Sequence, residues 1–205
     1  MQDNLDLYKT IKCPSEGLYK EKGSKFIGYA FPLKSEDEIK ERIGELKLIH
    51  PQSRHFCYAF ILKPDGSHYR GSDDGEPSGT AGAPILGQIR SNELTNTLIV
   101  VARYFGGTKL GVSGLITAYK TAAAEALQNA SIIDKTIDDY FHVRFTYEQT
   151  GDVMRILGNE VVNIREQTFE MDCLVEFSIR KTKTKMITDQ LNKISTLEVK
   201  FIKTE

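Results

Sequence analysis

The stretch TLIVVARYFGGTKLGVSGLITAYKTAAAEAL, Thr97 to Leu127, carries the clearest structural signal in the chain. Its first part, Thr97 to Tyr104, is a continuous apolar run that is typical of a β-strand covered on both faces. A glycine-rich turn follows. From Ser113 onward, apolar residues recur at spacings of three and four, which predicts an amphipathic helix. We therefore expect a buried strand that passes through a glycine loop into a long helix.

Further elements are predicted before this stretch. A strand covers Gly23 to Phe31, and a helix begins at Ser35 and stops before Pro51. An aromatic strand then covers His55 to Leu62. The turn residues Pro64 to Gly66 would return the chain as the second strand of a hairpin.

The residues after about Lys135 have few glycines and predict a second domain. Its strands and helices follow the order βαββαβ of the ferredoxin-like split βαβ arrangement, a four-stranded antiparallel sheet with two helices on one face. The predicted elements are a strand at Tyr140–Tyr147, a helix at Gln149–Leu157, two strands that pair around Glu170 and Met171, a helix at Thr184–Ile194 and a strand at Leu197–Ile202. The sequence thus predicts an α+β fold with domains at residues 1–134 and 135–205.

Composition and charge restrict the class of protein. The chain has 205 residues, of which 40% are hydrophobic and 27% charged, as expected of a folded globular protein. Its formal net charge of −1 argues against a dedicated duplex binder, and no DNA specificity is evident. The chain shows no secretory signal, no apolar run approaching the roughly 20 residues of a membrane span, and three well-separated cysteines. We therefore expect a cytoplasmic protein without a membrane partner.

The glycine loop between Arg103 and Gly114 predicts an anion site. The start of the following helix would place unpaired backbone N–H groups at the positive end of the helix dipole. Arg103 and Lys109 would add positive charge from the two sides of the loop. In the alternative interpretation, Gly106 and Gly107 only form a tight turn. The spacing matches neither a P-loop nor a dinucleotide-binding turn, which disfavours a mononucleotide ligand.

A second glycine-rich stretch, Ser72 to Pro84, leads into a short helix that is predicted to begin near Pro84. This helix start would offer a second set of backbone amides. The acids Asp73, Asp74 and Glu76 could hold a divalent cation or act as acid and base. Alternatively, they form a turn in which aspartate side chains accept hydrogen bonds from the local backbone.

Three histidines raise the question of a metal site. His50, His55 and His68 lie close in sequence, and Cys57 lies two residues after His55. No pair of these residues has the spacing of a zinc-ligand motif, so Cys57 is expected to be a buried thiol. We predict neither a metal site nor a cofactor.

Four motifs resemble those of the IMPACT family: KGSKFIGYA, HPQSRHFCYAF, SDDGEPSGTAGAPIL and VVARYFGGTKLGVSGLITAYKTAA. They span nearly the first two thirds of the chain, and bacterial members of this family also carry a small C-terminal domain. Two positions depart from the family pattern. Ser113 stands where a second glycine is usual, and its side chain could cap the helix. Ala83 stands where a basic residue is frequent, which weakens the argument for phosphate binding.

The resemblance implies a first domain like the second domain of a small-subunit ribosomal protein, with a βαβ unit of left-handed crossover. It implies a ferredoxin-like second domain similar to domains of elongation factor G. Eukaryotic relatives regulate translation by competing for an activator of the kinase that phosphorylates an initiation factor. For a bacterial relative, the resemblance implies RNA or the ribosome as the partner.

Three functions remain open on these observations. The leading hypothesis is a non-enzymatic, translation-associated regulator that binds RNA or the ribosome and has no catalytic residue. The alternatives are a Mg-dependent enzyme that acts on a phosphate ligand on a kinase-like fold, and a regulator that binds only a protein partner. The candidate nucleic-acid- or phosphate-binding residues are Arg54, Arg70, Gly79, Thr80, Gly82, Arg103, Gly106, Gly107, Lys109, Ser113 and Lys120.

Overall fold

The computed structural model describes residues 6–170 and 172–205, which form two compact units. The first unit is Tyr8–Lys135. The second contains Thr136–Glu205 together with Asp6 and Leu7. None of the described helices is both long and apolar enough to cross a membrane.

The first unit is built on a five-stranded antiparallel sheet with the strand order β2-β3-β6-β4-β5. A two-stranded sheet pairs β1 with β7. In chain order the elements are β1 (Leu7–Ile11), β2 (Ser15–Glu21), β3 (Ser24–Pro32), α1 (Asp37–Ile49), β4 (His55–Leu62), β5 (His68–Ser72), α2 (Gly82–Ser91), β6 (Thr97–Tyr104), α3 (Gly111–Gln128) and β7 (Ile132–Thr136).

Strand β6 is the centre of the five-stranded sheet and is buried along nearly its whole length, as its apolar run predicts. Ile99 and Val101 pack in a core with residues of α2 and α3, whereas Leu98 and Val100 pack in another core with residues of α1. The sheet is therefore covered by α2 and α3 on one face and by α1 on the other.

The predicted helix starts of the first unit each differ from the observed ones by two residues. Helix α1 begins at Asp37 after Glu36, and no side chain within the described residues caps it. Helix α2 begins at Gly82, and α3 begins at Gly111, so Ser113 lies inside the first turn of α3 and does not cap it. The prediction that Ser113 caps this helix is therefore wrong.

Three strands, β1, β2 and β7, have no counterpart among the predicted elements. Strand β2 is an edge strand in which Gly17 is the only fully buried residue. Strand β7 has no fully buried residue. Such strands lack the apolar alternation by which a half-buried strand is recognised, because little of their surface packs in a core.

Helix α3 lies unusually close to the sheet. A methyl group on Gly28 of β3 would clash with the carbonyl oxygen of Ala122, and one on Gly17 of β2 would clash with the backbone amide of Ala126. The glycines of the sheet and the alanines of the helix thus bring the two backbones together. This contact fixes the position of α3 and of the loop that precedes it.

We expect Gly28→Ala to lower the free energy of unfolding by about 1–3 kcal/mol or more, because the added methyl group forces α3 away from the sheet. Gly44→Ala is the matched control, since a methyl group at this exposed helical position meets no atom within 4 Å. That substitution should stabilise the protein by about 0.5–1 kcal/mol. Urea unfolding of both variants measures the difference. Equal stability of the two variants would contradict the close packing of α3.

The second unit contains β8 (Asp138–Thr146), α4 (Thr150–Leu157), β9 (Val162–Thr168), β10 (Asp172–Arg180), α5 (Thr184–Leu191) and β11 (Glu198–Thr204). Its antiparallel sheet has the strand order β11-β8-β10-β9, and the element order is βαββαβ, as predicted. The hairpin between β9 and β10 was expected to turn around Glu170 and Met171, of which Met171 lies outside the described residues. Phe141, Phe145 and Phe177 are buried in the core of this unit.

Asp6 is joined to the second unit, although the sequence assigns residues 1–134 to the first domain. Its carboxylate accepts two hydrogen bonds from Arg180, at 2.9 and 2.7 Å, and one from the amide of Thr182. Burial alone would raise the pKa of Asp6, but these donors lower it to about 2. The ion pair therefore ties the segment before β1 to the end of β10.

Candidate functional site

Two glycine-containing loops meet at one end of the five-stranded sheet. The turn between β2 and β3 packs against the loop between β6 and α3, where the amide of Gly106 donates to Ser24 Oγ at 3.0 Å. A methyl group on Gly23 would lie 2.9 Å from the carbonyl oxygen of Gly106, and one on Gly106 would overlap the backbone of Gly23. The two glycines therefore allow the loops to touch. We call residues Lys22–Lys25 and Phe105–Lys109 the loop surface.

The turn between β2 and β3 has a defined geometry. Glu21 pairs with Ser24, which leaves Lys22 and Gly23 as a two-residue hairpin loop. Both have positive φ, 45° and 81°, as a type I′ turn requires. The side chain of Lys22 thus stands at the tip of a tight hairpin.

The loop surface is exposed and carries three lysines. Lys22, Lys25, Lys109 and the residues Phe105–Thr108 are all exposed. Lys25 lies opposite Tyr104 in the sheet, one residue before the second loop begins. Among the described residues, none of the three lysines forms a salt bridge. Positive charge is therefore concentrated here in a chain whose net charge is −1.

Helix α3 begins directly after the loop surface. Its first backbone amides have no acceptor within the helix, and among residues 6–170 and 172–205 no side chain caps them. Gly111, Val112 and Ser113 are exposed. An α-helix of 18 residues places partial positive charge at this end.

A surface depression of about 240 Å³ lies beside this helix start. Its lining residues are Tyr19, Glu21, Lys22, Leu110, Ser113, Gly114 and Thr117. The one acid of the lining, Glu21, accepts a hydrogen bond from the Tyr19 hydroxyl at 3.1 Å.

Backbone amides of the second glycine-rich stretch, Ser72 to Pro84, already donate to an acceptor within the protein. The carboxylate of Asp73 accepts hydrogen bonds from the amides of Gly79, Ala81 and Gly82 at 2.8, 2.9 and 2.8 Å. The Thr80 hydroxyl is also used, since it donates to the carbonyl of Pro77 at 2.6 Å. The expectation that Gly79, Thr80 and Gly82 offer donors to a phosphate does not hold in this structure, because these donors have acceptors within the loop.

The other two acids are also engaged. Asp74 Oδ2 accepts from the amide of Phe56 at 2.6 Å, and Glu76 Oε1 accepts from Arg103 at 2.5 Å and from the Tyr119 hydroxyl at 2.8 Å. Within the described residues, no group of three or more potential metal ligands is close enough to hold an ion. The acids thus form the hydrogen-bonded turn of the alternative interpretation.

Arg103 is buried, which contradicts its proposed role as a phosphate contact. Its side chain is 8% exposed and that of Glu76 is 4% exposed, so the ion pair lies beneath the surface. Burial raises the pKa of Cys57 to about 12 and raises the pKa of Tyr119, so both groups are neutral in this network. Arg103 is therefore a structural cation.

The remaining cations lie at different distances from the loop surface. Arg54 is exposed and precedes His55, which pairs with Arg103, so it lies at the same end of the sheet. Arg70 pairs with Phe60 at the level of Leu98, six residues back along β6 and roughly 20 Å from its end. Lys120 is exposed nine residues into α3, roughly 13 Å along the helix. The structure thus groups Arg54 and Lys109, and separates Arg70 and Lys120 from them.

Lys22 and Lys25 were not among the candidate residues in the sequence. Both lie in the motif KGSKFIGYA, but the significance of the Lys22–Gly23 pair depends on β2, which the sequence pattern does not reveal. A two-residue turn predicts a hairpin only when a strand pattern is recognised on each side of it.

The histidines serve as hydrogen-bonding groups. His50 lies between two hydroxyls, with Nε2 2.7 Å from Tyr29 Oη and Nδ1 2.8 Å from Tyr104 Oη. His55 Nδ1 donates to the carbonyl of Asp74, and the Cys57 thiol donates to the carbonyl of Asp73, both at 2.9 Å.

Comparison with known proteins identifies the family. Residues 22–127 match the model of the Impact N-terminal domain, which is more than half of the chain. The IMPACT family member YvyE of Bacillus subtilis is 29% identical over 191 residues, which cover 93% of this chain and 88% of that protein. The IMPACT family member YigZ of Escherichia coli is 33% identical over 153 residues, which cover 72% of this chain and 75% of that protein.

A solved structure extends the similarity to both units. The crystal structure of a hypothetical protein matches 97% of this chain and 98% of its own, with a TM-score of 0.75 and 27% identity. The matched domain includes both halves of the loop surface and the Asp73 turn. The chain therefore belongs to the IMPACT family.

Proposed function

We propose that this IMPACT family protein is a non-enzymatic, translation-associated regulator that binds RNA through the loop surface. One observation carries the proposal: two loops that are distant in sequence converge to present Lys22, Lys25 and Lys109 beside the uncapped start of α3. Lysine side chains and backbone amides at helix starts are the groups that proteins use for contacts with nucleic-acid phosphates.

The electrostatics of the neighbouring loop support an anionic partner. Asp73 and Glu76 lie close to the end of β6 in the fold, but both carboxylates are used internally, by amides and by Arg103 respectively. Arg103 compensates the charge of Glu76, and backbone amides stabilise the Asp73 carboxylate. Among the described residues, Lys22, Lys25 and Lys109 form no salt bridge, so their charges are open to an anionic partner.

The role in translation is supported by the family. The family resemblance implies that eukaryotic IMPACT proteins regulate translation and that the first unit is similar to a domain of a ribosomal protein. The sheet of the first unit presents its glycine loops at one end, where an RNA backbone can approach. RNA of the translation machinery is accordingly the expected partner.

The salt dependence of RNA affinity tests the proposal. Each phosphate contact made by a lysine contributes about 0.7 to the slope of log K against log salt for a single strand. Lys109→Ala and Lys22→Ala should each flatten the slope by about that amount, and the double variant by about twice as much. Fluorescence anisotropy with a labelled RNA measures these slopes.

Lys40→Ala is the control, because Lys40 is an exposed lysine of α1 on the opposite face of the sheet. Its slope should equal that of the unmodified protein. Identical slopes for Lys109→Ala and Lys40→Ala would remove the loop surface from the binding site. Absence of RNA binding even at low salt would refute the proposal as a whole.

A further inference from the structure

Phe105 rests on a stack that begins in the core of the first unit. The guanidinium carbon of Arg103 lies 5.4 Å from the ring centre of Phe26 and 5.6 Å from that of Phe105. Phe26 is fully buried, and Glu76 holds the guanidinium from the side. Arg103, which a phosphate does not reach, thus supports an aromatic ring at the surface.

Phe105 is 60% exposed, although the Arg103 guanidinium lies beneath its ring. Its neighbours Gly106 and Gly107 have no side chains to cover it, and both are exposed. Burial of an apolar ring of this size would be favourable in free energy relative to its exposure to water. The guanidinium beneath the ring holds it in place, and the neighbouring glycines leave its outer face uncovered. The ring is therefore preorganised for contact with a flat partner.

We propose that Phe105 is a stacking platform for an unpaired base, so that the loop surface binds single-stranded RNA in preference to duplex RNA. This inference rests on the proposed function and specifies its ligand. Lys22, Lys25 and Lys109 stand in the loops around the ring, so phosphates can be bound where the base is stacked. Proteins that bind single strands combine such cations with exposed aromatic rings. In a duplex the bases are stacked on one another and the ring has no access to their faces.

Charge favours RNA over a protein at this surface. An exposed aromatic ring by itself also suits a protein interface. The surface around Phe105, however, holds three unpaired lysines and no free acid within the two loops that form it. This composition matches a polyanion with exposed bases.

Binding of a labelled 12-nucleotide single-stranded RNA and of the same RNA annealed to its complement tests the inference. Stacking of one base accounts for roughly 5- to 150-fold in affinity, so Phe105→Ala should raise the Kd for the single strand by that factor. The Kd for the duplex and for polyphosphate, which has no bases, should change less than twofold. Phe169→Ala is the control, since Phe169 is an exposed aromatic residue of the second unit. It should leave all three Kd values unchanged.

Phe105→Trp provides a second readout that does not depend on loss of the ring. The chain contains no tryptophan, so the new indole would be its only one. Stacking of a base should quench the indole emission, whereas polyphosphate should bind without quenching. A thermal unfolding curve of each variant confirms that it is folded.

The outcomes separate this inference from the proposed function. If RNA binds the Phe105→Ala variant as tightly as the unmodified protein, or if the indole is not quenched, the platform is refuted while RNA binding by the lysines stands. If the unmodified protein binds no RNA, the proposed function fails and the platform with it. A protein partner that stays bound to the unmodified protein after ribonuclease treatment, but is lost from the Phe105→Ala variant, would also overturn the inference.

Discussion

Glu76→Ala should lower the opening free energy of the first unit by about 3–5 kcal/mol, the cost of removing one partner from a buried ion pair. The substitution leaves the Arg103 guanidinium without its carboxylate at a side chain that is 8% exposed. It also removes the acceptor of the Tyr119 hydroxyl. Both donors would then be buried without a charged partner.

Hydrogen exchange of peptides from residues 97–127 measures this effect within the first unit. Arg103→Ala and the double variant complete a thermodynamic cycle. The double variant should be less destabilised than the sum of the two single variants, by about 1–3 kcal/mol, because it leaves no lone buried charge. Strict additivity would show that the two side chains do not depend on each other.

Asp73→Ala should produce the second large effect and lower the free energy of unfolding by about 2–3 kcal/mol. Hydrogen bonds to a charged acceptor are individually worth about 1.5–3 kcal/mol, and Asp73 is partly exposed. Three amides at the start of α2 lose their acceptor together. Exchange of the amides of Gly79, Ala81 and Gly82 should accelerate most. Glu41→Ala, at an exposed position of α1, should change stability by less than about 0.5 kcal/mol.

An anion should partly replace the missing carboxylate. In the Asp73→Ala variant, phosphate at constant ionic strength should recover part of the lost stability relative to chloride, because the bared amides form an anion site at a helix start. The unmodified protein should gain less stability from phosphate than the variant does, because its Asp73 carboxylate already occupies these amides. Equal stability of the variant in both salts would argue against the amide cradle.

The same contact predicts a pH dependence. Burial would raise the pKa of Asp73, but the amide donors outweigh burial and lower it below the ordinary value of 3.8. The stabilisation is therefore fully present above pH 3.8 and is lost as the pH falls below it toward the pKa of the folded state. Asp73→Asn should flatten the stability profile in this acidic range, as measured by urea unfolding at successive pH values.

The elements around β6 and α3 could be predicted from the sequence because their signals are local. The apolar run of Thr97–Tyr104 and the helical spacing after it each reflect burial along one element, and burial determines which residues are apolar. The βαββαβ order of the second unit was predictable for the same reason. Strands β2 and β7 were not predictable, since they bury too little to leave a pattern.

The site was harder to predict because its contacts join residues far apart in the chain. The spacing of glycines and acids indicates loops that expose amides, but it does not tell which amides have acceptors. Asp73 bonds to amides up to nine residues away, and Arg103 pairs with Glu76 across 27 residues. Gly106 meets Ser24 across 82 residues. The sequence shows which loop residues carry a charge. The burial of Arg103 and the position of Lys22 become visible only in the folded structure.

RNA binding by the loop surface can be tested in cells by ultraviolet crosslinking of RNA to the full chain, followed by sequencing of the RNA and mass spectrometry of the crosslinked peptides. We expect crosslinks at residues of the loop surface, with Phe105 foremost, and ribosomal or other translation-related RNA attached to them. Crosslinks confined to the second unit, or a protein that carries no RNA, would contradict this expectation.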